Sequence, residues 1–98
     1  MRARVITTTA SPEVVAAGVQ LTKDVLVPAA RQQEGYRGYI AIYDRDKGTG
    51  IALTLWEDER TELASDEVLG GSREQFAATF GAEVLVDKYD VAFAELSG

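Results

Sequence analysis

Side chains able to do chemistry alternate along two neighbouring segments near the middle of the chain, residues 35–44 and 49–57. Histidine and cysteine are absent from the 98 residues, which excludes imidazole bases, thiolate nucleophiles and the commonest metal ligands. Any reaction must therefore use phenol, indole, guanidinium, hydroxyl or carboxylate groups. The candidates on these two segments are Arg37, Tyr39, Tyr43, Thr54 and Trp56.

A second group of ionisable side chains lies near the end of the chain, at Asp87, Lys88, Tyr89 and Asp90. A Lys–Tyr or Asp–Tyr pair could act as general base and acid if burial shifted its pKa. The alternative is that these charges fix the register of an edge strand. The second interpretation is the simpler one, because structural ion pairs perturb pKa values too.

Carboxylates also cluster at residues 57–62, where Glu57, Asp58, Glu59 and Glu62 open a helical pattern. Negative charge at a helix N-terminus is stabilised by the helix dipole. We therefore interpret this cluster as a solvated helix start.

The two central segments must be positioned by a β-hairpin. Each segment alternates, and Asp44 to Gly48 between them supplies turn residues. If Asp44 faces Thr49, five aliphatic residues share one face and the candidates above share the other. We expect the aliphatic face to pack against helices and the aromatic face to meet a second copy of the chain. The aliphatic residues are Ile40, Ile42, Ile51, Leu53 and Leu55.

The flanking segments complete a βαββαβ order. Residues 2–9 alternate as a strand, and a helix follows Ser11, with a kink or early end at Pro28. A second helix begins at Asp58, is interrupted at Gly70-Gly71, resumes after Ser72 and ends at Gly81, with Leu63, Ala64, Val68 and Leu69 on its apolar side. A last strand covers residues 83–96. This order predicts one α+β domain over residues 1–98, a ferredoxin-like four-stranded antiparallel sheet with both helices on one face.

Charge and hydropathy restrict the partners. The net charge of −6 argues against binding to nucleic acid or to anionic membranes. No run approaches the roughly 18 apolar residues of a membrane helix, and the N-terminus has no apolar signal core. We therefore expect a cytoplasmic protein.

Several runs resemble the antibiotic biosynthesis monooxygenase (ABM) superfamily of dimeric α/β-barrel proteins. They are Pro28, the Gly35 to Tyr39 run, the Asp44 to Gly50 turn and the Thr54 to Asp58 run. The resemblance implies a homodimer, in which two sheets set their open faces together and close a barrel. It also implies a pocket in each subunit, between the sheet and its helices or the barrel wall.

The resemblance further implies an oxidoreductase activity, that of a cofactor-independent monooxygenase acting on a hydrophobic aromatic small molecule, with no metal. Trp56 matches the family tryptophan, and with Tyr39 it would orient the substrate ring. Arg37 would hold a developing enolate or phenolate charge, and Tyr43 or Asp90 would handle a proton. Thr54 and Tyr89 complete the predicted substrate-binding set. Haem-degrading relatives need a histidine, which this chain lacks.

A non-catalytic dimer, whose pocket binds a small molecule or is filled by side chains, is the alternative. Trp56 could serve packing alone, and Tyr39 and Tyr43 could line a dimer interface. Arg37 could be held by a salt bridge to Asp58, Asp87 or Asp90.

Overall fold

The chain forms one four-stranded antiparallel sheet with its helices on one face, in a computed structural model that describes residues 1–96. The strands are β1 (Arg2–Thr9), β2 (Tyr36–Asp44), β3 (Thr49–Trp56) and β4 (Glu83–Asp90), and their spatial order is β2-β3-β1-β4. The helices are α1 (Pro12–Leu21), α2 (Val27–Arg31) and α3 (Glu59–Phe80). This βαββαβ topology confirms the predicted ferredoxin-like fold.

The predicted hairpin register is confirmed. Asp44 pairs with Thr49, Ile42 with Ile51 and Ile40 with Leu53. The turn holds because the Asp44 carboxylate accepts hydrogen bonds from the backbone amides of Asp46 and Lys47, at 2.9 and 3.0 Å.

One residue departs from the alternation of β2. Tyr36 pairs with Trp56 and Gly38 pairs with Leu55, so Arg37 is an extra residue in a β-bulge. Its guanidinium lies 3.2 Å from the Glu57 carboxylate, and both side chains are about half exposed. The prediction that Arg37 shares a face with Tyr39 by simple parity is therefore wrong.

The assignment of the two sheet faces is also wrong, because the aromatic face packs against the helices. Trp56 is completely buried there, in contact with Ala30 and Leu69. Ile40 and Ile42 on the aliphatic face are 44% and 57% exposed. The inversion fits α3, whose buried residues are mainly polar and lie over the buried Arg4 of β1, which donates a hydrogen bond to Ser65. The buried residues of α3 are Thr61, Glu62, Ser65 and Leu69.

Helix α3 runs through Gly70-Gly71 without the predicted interruption. Its ends are fixed by a capping box between Asp58 and Thr61 and by Gly81 in the left-handed region, at φ 65°. A helical glycine costs about 1 kcal/mol, which these caps and the packing of the helix outweigh. The predicted apolar side is wrong for Leu63 and Val68, which are exposed.

The helical segment that begins with α1 continues past Pro28 and ends with α2 at Arg31. A π-helical turn, Thr22–Leu26, joins α1 to α2, and in it the Val27 amide donates to the Thr22 carbonyl. Proline lacks an amide donor, and this wider turn precedes it directly. The kink or early end expected at Pro28 is thus replaced by a change of helix type.

The last strand is shorter than predicted. It ends at Asp90, and the Val91 amide donates to the Met1 carbonyl just beyond it. Residues 91–96 are not part of the sheet, and Phe93 is 83% exposed. The prediction that the strand continues to residue 96 is therefore wrong. No helix of residues 1–96 is long and apolar enough to cross a membrane.

Candidate active site between the helices and the sheet

Trp56 is held rigidly at the end of β3. Its indole Nε1 donates a hydrogen bond of 2.9 Å to the Thr54 hydroxyl, two residues earlier on the same face of the strand. Tyr36 meets the ring edge to face, with the centroids 5.9 Å apart. Because the hydrogen bond and the ring contact fix the indole, Trp56 in turn orients the Thr54 hydroxyl.

Arg4 of β1 is a buried cation between the sheet and α3, and only 1% of it is exposed. Its Nη1 donates to the Glu62 carbonyl at 3.2 Å and to the Ser65 hydroxyl at 3.0 Å. The guanidinium also lies 5.4 Å from the centroid of the Trp56 ring. Burial lowers the pKa of Arg4, and the Asp66 carboxylate opposes that effect. An arginine remains protonated under such conditions, so β1 carries a fixed positive charge under α3.

Glu62 lies fully buried beside Arg4. Its Oε2 is 3.7 Å from Arg4 Nη1 and 3.6 Å from Lys88 Nζ. Neither carboxylate oxygen has a hydrogen bond within residues 1–96. The prediction that Glu62 is a solvated residue of the helix start is therefore wrong. Its spacing from Ser65, Leu69 and Arg73 along one side of α3 is the sequence signal that could have identified it.

Arg73 of α3 lies beside these charged side chains and lines the same cleft as residues of α1. Its Nη2 donates to the Asp66 carboxylate one to two turns earlier on α3. Gly70 lies between them, and a Cβ there would be 3.3 Å from Arg73 Nη2, so a larger residue would crowd the pair. Burial alone would raise the pKa of Asp66, but the hydrogen bond from Arg73 holds it below its usual value.

An apolar cleft of about 80 Å³ opens between α1, α3 and the sheet. Tyr39, Thr22 and Arg73 supply most of its polar lining, and Gly18 and Phe76 both line it as close neighbours. A smaller void of about 20 Å³ lies deeper, against Arg4, Tyr39, Thr54 and Arg73. Burial raises the pKa of the Tyr39 phenol, so the group is a neutral hydrogen-bond donor near pH 7.

Known proteins of similar sequence carry no assigned function. No family model matches the chain. Two uncharacterized proteins of Mycobacterium tuberculosis strain H37Rv are 31% and 32% identical over 90 residues, which is 92% of this chain. The chain spans about 40% of the length of these curated relatives.

Solved structures give a clearer comparison. A protein from Deinococcus radiodurans that is described as a putative antibiotic biosynthesis monooxygenase superposes over the full length of both chains, with a TM-score of 0.79 and 20% identity. The chain has the fold of this protein. The cofactor-independent oxygenase SnoaB from Streptomyces nogalater gives a TM-score of 0.65 at 12% identity, over 95% of this chain and 94% of its own. A dimeric ferredoxin-like protein from an uncultured marine organism gives 0.67 at 13%, over 96% and 97%.

Within this fold, three of the seven predicted site residues lie together. Tyr39, Thr54 and Trp56 share the face of the sheet that packs against the helices, and Tyr39 and Thr54 line the voids. Among residues 1–96, no group of three or more carboxylates is arranged to hold a metal ion.

The other four predicted site residues lie elsewhere. Arg37 pairs with Glu57 on the surface, and Tyr43 is 42% exposed at the far end of β2. Tyr89 is exposed on β4, in register with Ala3 on the aliphatic face. The Asp90 carboxylate accepts a hydrogen bond of 2.9 Å from Arg2. Sequence reasoning missed Arg4 and Arg73, which line the inner void, and Glu62, which lies buried beside Arg4.

Proposed function

We propose that this chain is a homodimeric member of the ABM superfamily and a cofactor-independent monooxygenase that oxidises a hydrophobic aromatic small molecule. The observation that carries the proposal is the cleft between the helices and the sheet. Its lining is largely apolar, and Tyr39 and Thr54 present hydroxyl groups at its inner end. The likeness of the fold to a cofactor-independent oxygenase supports the same activity.

The reaction that fits these groups uses the substrate as its own reductant. A phenol with a free ring carbon reacts with O₂; one oxygen atom becomes a quinone carbonyl on that carbon, and the other leaves as water with two substrate hydrogens. Tyr39, whose raised pKa keeps it protonated, would donate to the reduced oxygen. Trp56 would act as a positioning residue, through its hydrogen bond to Thr54. Arg37, on the surface, would take no part in this step.

The aliphatic face of the sheet supports the homodimer. Ile40, Ile42, Leu85 and Tyr89 are each 44% to 57% exposed in the single chain, and they lie on both edge strands of that face. An apolar surface that extends across a sheet is typical of an interface. A second copy of the chain would cover it, as the likeness to a dimeric ferredoxin-like protein suggests.

Oxygen uptake tests the activity. Purified protein is incubated under air with 1,5-dihydroxynaphthalene, which has a free ring carbon para to each hydroxyl, and O₂ consumption and formation of the hydroxynaphthoquinone are followed together. We expect one O₂ per quinone, at a rate well above that of buffer. Tyr39→Phe should lower kcat by about 10²-fold, the usual contribution of one proton donor. Trp56→Phe should lower it less. Tyr43→Phe, on an exposed tyrosine outside the cleft, is the matched control.

A rate equal to that of buffer, or an equal rate for wild type and Tyr39→Phe, would contradict the proposal. The alternative is a non-catalytic dimer whose pocket binds a small molecule or is filled by side chains. The volume of the cleft favours the filled pocket, since about 80 Å³ is well below the roughly 300 Å³ of a typical ligand pocket. If the dimer only binds a small molecule, some of a panel of aromatic compounds should raise the melting temperature without consuming O₂, and if the pocket is filled, none of them should.

A further inference from the structure

Five charged side chains form one connected group under α3, and their charges do not balance. Arg4 lies 3.7 Å from Glu62 and 3.6 Å from Asp66, Lys88 lies 3.6 Å from Glu62, and Arg73 pairs with Asp66. Three cations therefore share two carboxylates, which leaves one net positive charge. Arg2 nearby is already neutralised by Asp90. Arg4 is 1% exposed and Glu62 fully buried, so water screens these two charges poorly, whereas the side chains of Lys88 and Asp66 are each 31% exposed.

Arg73 is the member of this group that reaches the cleft. It lines both the outer cleft and the inner void, where it stands beside Tyr39. Among residues 1–96 its guanidinium makes one hydrogen bond, through Nη2 to Asp66. An arginine has five N–H donors, so Nε and Nη1 are available to a second acceptor. The rest of the cleft is apolar and would surround an aromatic ring.

We propose that the cleft binds its ligand as a monoanion, an aromatic molecule whose one ionised oxygen acid lies against the Arg73 guanidinium. The inference rests on the proposed function only in placing the ligand in this cleft. An aromatic carboxylate and a phenolate share the chemistry that Arg73 recognises. Binding either one brings the charge of the group to zero, and pairing with arginine is stronger in a dry site than in water.

A pair of probes of equal size tests the charge. We choose 2-naphthoate, which is ionised at pH 7, and 2-naphthamide, which is neutral and nearly isosteric. Neither is a phenol, so binding is measured without oxidation, and the result is independent of the oxygen-uptake test. Trp56 is the one tryptophan of the chain and lies behind Thr54, so its fluorescence can report binding. We expect wild type to bind the naphthoate at least tenfold more tightly than the amide.

Three variants assign that preference to Arg73. Arg73→Met keeps the aliphatic stem and should remove the preference, whereas Arg73→Lys should keep part of it. Asp66→Asn removes one carboxylate and leaves Arg73 unpaired, so it should tighten naphthoate binding several-fold and leave the amide unchanged. This gain does not depend on the folding of the arginine variants. Arg60→Met, which removes an exposed arginine paired with Glu34, is the control.

The outcomes separate this inference from the oxygenase proposal. Equal affinity for the two probes, or binding of neither, overturns the inference, as does a preference that survives in Arg73→Met. Asp66→Asn with unchanged or weakened naphthoate binding also overturns it. A preference for the naphthoate in a protein that consumes no O₂ supports the anion site and contradicts the monooxygenase alone. Binding titrations with 2-naphthol, at pH values below and above the pKa of its hydroxyl group, distinguish a phenolate ligand from a carboxylate.

Discussion

The Arg4 guanidinium lies 5.4 Å from the centroid of the Trp56 ring, and both side chains are almost fully buried. Arg4 is on β1 and Trp56 on β3, while the groups that hydrogen-bond to Arg4 belong to α3. One cation thus joins two strands to the helix that covers them. A cation over an indole is stabilised more in a desolvated site than at the surface. Arg4 therefore holds together the strands and the helix that form the proposed site, although its side chain does not line the outer cleft.

Removal of that charge should destabilise the fold strongly. Arg4→Met leaves Glu62 fully buried with only the ammonium of Lys88 nearby, so we expect a loss of about 3–5 kcal/mol in the free energy of unfolding. Arg60→Met removes an exposed ion pair, which water and salt screen, and should change the free energy of unfolding little. Urea denaturation of both variants makes the comparison. Equal losses would show that the buried group contributes little.

The double variant Arg4→Met with Glu62→Leu checks the cause. It removes both charges together, and apolar groups of similar size often replace a buried ion pair at no net cost. We expect it to recover most of the stability that Arg4→Met loses. If the two substitutions are instead additive, the loss does not come from the uncompensated carboxylate.

The aliphatic face of the sheet leads to a prediction about assembly. Ile42→Asp places a charge on the edge strand β2 of that face, in register with Ile51, and should convert a dimer to a monomer at micromolar concentrations. Leu63→Asp, on an exposed leucine of α3, should leave the mass unchanged. Sedimentation equilibrium of the two variants and the wild type measures this. A wild type that is monomeric throughout would rule out the homodimer.

Local signals in the sequence were enough to predict the element order, the hairpin register and the caps. Ser11, Asp58 and Gly81 each act through backbone groups within a few residues, and each is found in its expected role. The Asp44 turn fixes the register in the same local way. These features depend on neighbours in the sequence, which is why the chain order alone indicates them.

Features that depend on distant partners could not be predicted in this way. Both faces of the hairpin carry apolar residues, so which face packs against the helices depends on the buried side chains of α3. In the sequence Glu62 resembles a solvated residue of a helix start, and only the fold shows that it lies beside Arg4. The bulge at Arg37 shifts its side chain out of the alternation without any glycine or proline at that position. Arg73 lies 17 positions from Trp56 in the sequence, and only the uninterrupted α3 brings it to the cleft.

Gly18 and Phe76 should control the width of the cleft. A Cβ on Gly18 would lie 3.1 Å from Cζ of Phe76, so Gly18→Ala forces the ring into the cleft or away from α1. We expect 2-naphthoate to bind at least tenfold more weakly to this variant. Gly18→Ala with Phe76→Leu, which removes the ring, should restore much of the affinity.

Stability measurements separate this effect from a folding defect. Alanine favours a helix by about 1 kcal/mol over glycine, which offsets part of the crowding, so the free energy of unfolding should change by no more than about 1 kcal/mol. Ala17→Ser, on the exposed neighbour in α1, is the control for both measurements. Unchanged affinity in Gly18→Ala would mean that the ligand does not occupy this end of the cleft.

The ionisation of Tyr39 should appear as a pH dependence of stability. Burial raises the pKa of its phenol above the ordinary value of 10.0, and this effect exceeds the opposing one of a hydrogen bond with Thr22. Between these two pKa values the unfolded chain has lost the proton while the folded chain retains it, so the folded state binds more protons. The free energy of unfolding must therefore fall as the pH rises above about 10. In Tyr39→Phe this component is absent, and the stability of the wild type relative to Tyr39→Phe should decrease from about pH 9 to pH 11.

Urea denaturation across that range measures the difference, with Leu63→Ala as a variant that changes no ionisable group. A constant difference between wild type and Tyr39→Phe would mean that the phenol ionises equally in both states, so that burial does not raise its pKa.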